Sequence, residues 1–347
     1  MSAGKQKIMS LQGIKVIAFL MVFFSHAREY LPVDIPDLGA RAVELFIFIS
    51  GFTMIYNHFS DKSNGFKSIY ISKFKKYFPI HLITLIAMIP YMIIMITQNH
   101  NDINMVAKSF VSNLLLLQSW IPIRDIYFSF NTVSWYLSMM LFCWAFSPFL
   151  IRIIKKYKLN KKKNKLIVSC IIILALKFLI EFSVLRYLDG YYDFVVHLLP
   201  LYRVLDYLLG MMTGLYFLEN KKNYNKNLIT ILQVLSVGLY IFVVVAFKDL
   251  SYRVIYFPFI IVMVYIMCFD GFVSKIVDNS ISRLLSKISL EFFMVHMIVI
   301  SYWQLLLPST VMNDYLQLII IFILSVLLSY LLKITLSFLA KKRIIKN

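Results

Sequence analysis

A chain of 347 residues that is 60% hydrophobic and only 15% charged cannot keep its apolar surface out of water as soluble domains. It reads as a polytopic membrane protein. The formal net charge of +19 requires no nucleic-acid partner, because the cytoplasmic loops of membrane proteins carry an excess of Lys and Arg.

A helix that crosses about 30 Å of hydrocarbon needs roughly 20 residues. In chain order, the apolar runs predict ten spans near 11–27, 38–57, 77–97, 131–152, 165–185, 195–218, 228–247, 252–269, 288–307 and 315–338. The expected fold is therefore all-α, one integral-membrane domain over 1–347 with no soluble domain and no internal repeat. The run FVSNLLLLQSWIP at 110–122 is too short to cross and reads as a re-entrant or interfacial piece. Cys143, Cys170 and Cys268 lie within apolar runs and form neither a metal-ligand spacing nor a disulfide framework. Lys and Arg in successive loops alternate without a break, 25 on one side against 6 on the other. That asymmetry predicts both termini on the cytoplasmic side.

The topology assigns depths. His26 lies about 15 residues into an outward-running helix, roughly 22 Å at 1.5 Å per residue. Glu44 lies about six residues into the returning helix, roughly 9 Å below the outer boundary by the same rise. The two share a depth, whereas Lys15 stays near the cytoplasmic face.

Ionisable groups within spans cost about 2.5–3.5 kcal/mol each on insertion, so each is a functional candidate. They are Lys15, His26, Arg41, Glu44, Lys177, Glu181, Arg203, Asp206, Glu291, His296 and Lys333. Lys177 and Glu181, four residues apart, read as a pair on one helix face. Lys333 and Glu291 are near enough to their helix ends to reach the interface. His26 and Glu44 differ, because a carboxylate beside a neutral imidazole orients the ring and stabilises the imidazolium, which makes a competent base. Two other readings of His26 stand beside this one. It is a wet interfacial histidine, or it belongs to a secretory leader. In the leader, Lys5 and Lys7 form the charged region, Val16–Phe24 the apolar region and Ser25-His26-Ala27 the cleavage site.

Six stretches in order then carry a resemblance: LQGIKVIAFLMVFFSHA (11–27), VELFIFISGFTMIY (43–56), KFKKYFPIHL (73–82), NTVSWYLSMMLF (131–142), PLYRVLDYLLGMMTG (200–214) and KISLEFFMVHMIVI (287–300). Their order and spacing resemble the acyltransferase-three family of bacterial integral-membrane acyltransferases over nearly the whole chain. The family's Arg-x10-His pair is here Lys15-x10-His26, its acidic residue is Glu44, and its Ser-Gly-Phe is Ser50-Gly51-Phe52. The chain departs from the pattern at Lys15, which keeps the charge of Arg but loses its planar fork. Gln12 stands where Asp is usual and Met140 where many members carry Glu.

The resemblance implies transfer of an acyl group, often acetyl, from acyl-CoA to a hydroxyl of a cell-envelope saccharide, in a multi-pass protein of the bacterial cell membrane. It also makes His26 part of the mature protein. No metal is implied. On this reading His26 is the general base and Glu44 orients it, while Arg41 stabilises the oxyanion or grips an acidic acceptor. Trp135, Arg203, Asp206 and His296 line the cavity. Lys73, Lys75 and Lys76 at the cytoplasmic mouth, with Lys15 nearby, suit the phosphates of CoA, and equally read as plain positive-inside lysines. A covalent acyl-His26 intermediate and direct transfer both remain open. The partners expected are membrane lipid and the saccharide. A transporter or flippase of lipid-linked saccharide is the alternative; it predicts inverted repeats and broken helices in corresponding halves. A glycan polymerase would instead carry its catalytic residues on a large outward loop.

Overall fold

The computed structural model describes residues 8–31, 38–60, 66–99, 102–307 and 312–345. Lys5 and Lys7, the charged region of the leader reading, lie outside the described residues. Within them all regular structure is helical. The chain runs through α1 (Met9–His26), α2 (Leu38–His58), α3 (Phe66–Ala87), α4 (Ile89–Asn99), α5 (Ile103–Leu114), α6 (Arg124–Tyr127) and α7 (Trp135–Lys156). It continues through α8 (Lys163–Tyr187), α9 (Pro200–Asn220), α10 (Lys226–Ala246) and α11 (Phe257–Met267), then the short α12 (Phe272–Val277) and α13 (Ser280–Ser286). Two longer helices, α14 (Ser289–Leu306) and α15 (Asp314–Ile345), complete it.

Each of the ten expected runs is helical, and eight helices among the described residues are long and apolar enough to cross a membrane unaided. The third is longer than expected, Ile69–Thr97, because α3 and α4 are interrupted only at Met88. The other two expected spans differ. The sixth is broken: Asp189–Leu198 and Pro200–Asn220 meet at 44°. Leu199 is extended and Pro200 opens α9, since a proline disfavours helical conformation in the residue before it and is well placed at a helix start. A π-helical turn, Phe194–Leu198, occupies the first side of the break. The eighth is shorter than a full span, with a 3-10 turn at Arg253–Tyr256 leading into α11.

The stretch at 110–122 turns back rather than crossing. Helix α5 ends at Leu114, Leu116 has φ 54°, and a 3-10 turn follows at Gln118–Trp120. Buried bonds fix it to the start of α7: Gln118 Nε2 donates to Ser134 Oγ at 3.0 Å and Ser119 Oγ to the Trp135 carbonyl at 2.7 Å.

Helices α2 and α9 form the centre. A Cβ on Gly51 would lie 1.9 Å from the Tyr207 carbonyl oxygen, and one on Gly210 2.0 Å from that of Phe48. Only residues without side chains let two backbones approach this closely. By contrast α8, α10 and α15 leave long apolar side chains such as Phe178, Phe242 and Leu331 exposed, as lipid-facing helices do. The close α2–α9 packing brings the start of α2, the π turn before α9, the end of α1 and the start of α7 around one cavity.

Candidate active site

That cavity, about 290 Å³, is lined by Val22, Ser25 and His26 of α1, by Gly39, Ala40 and Val43 of α2, and by Arg124, Phe128, Thr132, Val133, Trp135, His197 and Phe293. His26, the last residue of α1, is half-buried. Its Nδ1 lies 3.0 Å from His296 Nε2, with the planes of the two rings parallel to within 7°. His296 Nδ1 in turn lies 3.0 Å from the Phe292 carbonyl oxygen one turn earlier in α14. A carbonyl only accepts, so in the neutral pair the proton of His296 sits on Nδ1 and its Nε2 carries a lone pair. His26 must then donate from Nδ1, which leaves the lone pair of His26 on Nε2. The second histidine therefore fixes the tautomer of the first.

The group beside His26 Nδ1 is His296, not the expected Glu44. Glu44 instead pairs with Arg41 at 2.9 Å, three residues earlier on α2. The Arg41 guanidinium lies 3.9 Å over the Tyr256 ring. It opens onto a neighbouring cavity of about 260 Å³ that it shares with Lys248, Arg253 and Tyr192. Trp135 stands where expected, on the wall of the His26 cavity, with its ring 4.7 Å from His197.

The profile of the acyltransferase-three family, described as an acyltransferase domain, matches residues 8–334. The chain belongs to this family. The resemblance read from the six stretches is borne out. A curated relative, the acyltransferase MdmB of Streptomyces mycarofaciens, is 30% identical over 166 residues, which are 45% of this chain and 42% of that protein. The match thus spans less than half the length of that relative. No solved structure matches the chain.

In this acyltransferase-family chain, Arg203 and Asp206 do not line the His26 cavity. They sit fully buried in an ion cluster. Asp206 Oδ1 is 2.5 Å from Lys177 Nζ, and Oδ2 is 2.8 Å from Arg203 Nη1. Lys177 also donates to the Tyr202 hydroxyl at 2.7 Å, and that hydroxyl donates to Glu181. The Val254 N–H completes the cluster with a 3.1 Å bond to Glu181 Oε2. Lys177 and Glu181 are therefore not a simple pair on one face of α8, because the Tyr202 hydroxyl of α9 bridges them and Asp206 of α9 pairs with Lys177. With Arg41 and Glu44, three buried cations face three buried carboxylates. Such an arrangement costs desolvation and holds together only because each charge is compensated.

The lysines expected at the donor site stand apart from the His26 cavity. Lys73 lies 5.5 Å over the Trp144 ring and Lys76 5.4 Å over that of Tyr77, while Lys75 is exposed. Lys15 is half-buried on α1. Glu291 occupies the first turn of α14, where the helix dipole favours a carboxylate. Lys333 is half-buried and donates to the Lys287 carbonyl. Among the described residues no group of three His, Cys, Asp or Glu side chains is placed to hold a metal ion.

His197 escaped the sequence reading, since it lies at the outer edge of its run. One signal was available: a histidine three residues before a proline in an apolar segment. Irregular backbone at membrane depth is tolerated where it lines a cavity or is buried in protein.

Proposed function

We propose that the protein transfers an acyl group, acetyl in the simplest case, from cytoplasmic acyl-CoA to a hydroxyl of a cell-envelope saccharide at the outer side of the bacterial membrane. The observation that carries this reading is His26 on the wall of a cavity, paired with His296. His26 Nε2 takes the proton of the saccharide hydroxyl as its oxygen attacks the thioester carbon. The new C–O bond forms, the C–S bond breaks, and CoA leaves as thiolate, which recovers the proton from the His26 imidazolium. Throughout, His296 holds the ring by its Nδ1–H.

The excess of Lys and Arg on one side, 25 against 6, supports cytoplasmic termini and a cytoplasmic donor. Lys15, Lys73, Lys75 and Lys76 hold the phosphates of CoA in this scheme. The eleven residues from Lys15 to His26 rise about 16 Å, roughly the reach of an acyl-pantetheine arm. The donor then need not cross the membrane to meet an outward-facing acceptor. Mass spectrometry of surface glycans from a deletion strain and its complemented parent tests the assignment. One acyl mass per repeat unit should disappear on deletion and return on complementation; glycan masses that do not change would overturn it.

A further inference from the structure

We propose that His197 is a second catalytic residue, the hydrogen-bond donor that stabilises the oxyanion formed on the thioester carbonyl. The inference rests on the acyl-transfer reading above and adds the partner that the base needs. His197 and His26 line the same cavity, about 290 Å³ in volume, and their protonation patterns are opposite. Arg253 Nη1 lies 2.9 Å from His197 Nδ1. A guanidinium only donates and does not deprotonate in proteins. His197 Nδ1 is therefore an acceptor, and the proton of the neutral ring is on Nε2. Arg253 is itself anchored by Asp193, its Nη2 3.3 Å from Oδ1. Among the described residues His197 Nε2 has no protein hydrogen-bond partner, and the ring, half-buried, packs against Trp135.

The local backbone supports the assignment. His197 sits in the π-helical turn Phe194–Leu198 that the break before Pro200 leaves at the cavity, and such turns gather at functional sites. The chemistry requires both tautomers. As the hydroxyl oxygen attacks, its proton goes to His26 Nε2 and the carbonyl π pair moves onto oxygen. His197 Nε2–H donates to that oxyanion and keeps its proton. When the pair returns to re-form the carbonyl, the C–S bond breaks and CoA thiolate leaves. The fixed cation of Arg253 behind the ring favours the developing negative charge in front of it.

Two substitutions that differ by one methylene separate this role from packing. His197→Asn places its amide near the Nδ1 position, keeps an acceptor for Arg253 and removes the donor at Nε2. His197→Gln places an amide N–H near Nε2 and gives up the Arg253 contact. The assay uses inside-out membrane vesicles that carry the native acceptor, with acetyl-CoA as donor and released CoA thiol as the readout, at matched levels of inserted protein. Loss of one oxyanion donor costs about 10²–10³ in kcat. His197→Asn should fall by that factor with the KM for acetyl-CoA unchanged, and His197→Gln should stay within about tenfold of the parent. A structural role predicts the reverse order. Asn performing as well as Gln, Gln failing with Asn, or a loss confined to KM would each overturn the proposal. His26→Gln, run alongside, reports on the base alone. If it stays active the acyl-transfer reading of His26 fails, whatever the order of the two His197 variants.

Discussion

Two buried polar clusters sit in the centre of this bundle, and they differ in what they face. His26, paired with His296, borders a cavity, whereas Lys177, Asp206 and Arg203 pair with one another and are sealed from it. By the cost of polar groups in hydrocarbon both would be marked as functional. Their geometry separates them. In the pair the carbonyl of Phe292 sets the tautomer of His296, and His296 in turn sets that of His26. In the cluster every charge is spent on another charge, and the outcome is that α8 and α9 are locked together. Access to a cavity, more than the presence of ionisable groups, sets the two clusters apart.

The comparison breaks first at His26. Glutamine there hydrogen-bonds but cannot carry a proton away, so His26→Gln should lower surface-glycan acylation by about 10²–10⁴ at matched membrane protein levels. Near-normal acylation would return His26 to a wet interfacial residue. The next largest effect should fall on stability. Asp206→Asn leaves Lys177 and Arg203 without their shared carboxylate, and breaking a buried pair costs about 3–5 kcal/mol. Thermal unfolding in detergent should show that loss while turnover per folded molecule stays close to the parent's. Unchanged stability with abolished turnover would move the cluster into the chemistry. The smallest effect is expected at His296. Phenylalanine preserves the ring packing but removes the acceptor for His26 Nδ1–H, and one neutral hydrogen bond is worth about 1 kcal/mol. A several-fold drop in kcat at constant KM is the expected outcome, and full activity would leave the tautomer without a function.

Much of this was legible in the sequence, and the misses have a common cause. All ten apolar runs are helical, and the sequence points to His26 and Trp135 on the cavity; His296, expected on its wall, is not among the lining residues and instead meets His26 Nδ1. Counting residues along a helix gives depth but not direction around the axis. Glu44 shares the expected depth of His26, yet its carboxylate pairs with Arg41 on α2, and His26 meets a residue 270 positions away in the chain. Likewise Arg203 and Asp206 stand at a plausible depth but face Lys177 on α8. His197 was hidden because the break at Leu199–Pro200 falls inside a run whose composition reads as one continuous span.

The central claim is that His296 fixes His26 with its proton on Nδ1 and its lone pair on Nε2. Nitrogen-15 NMR of ring-labelled histidines in lipid bilayers reads that placement directly, with signals assigned by comparison with the His26→Gln and His296→Phe variants. The account predicts a protonated Nδ1 and a bare Nε2 for both His26 and His296. A His26 ring protonated on Nε2 with a bare Nδ1 would contradict it.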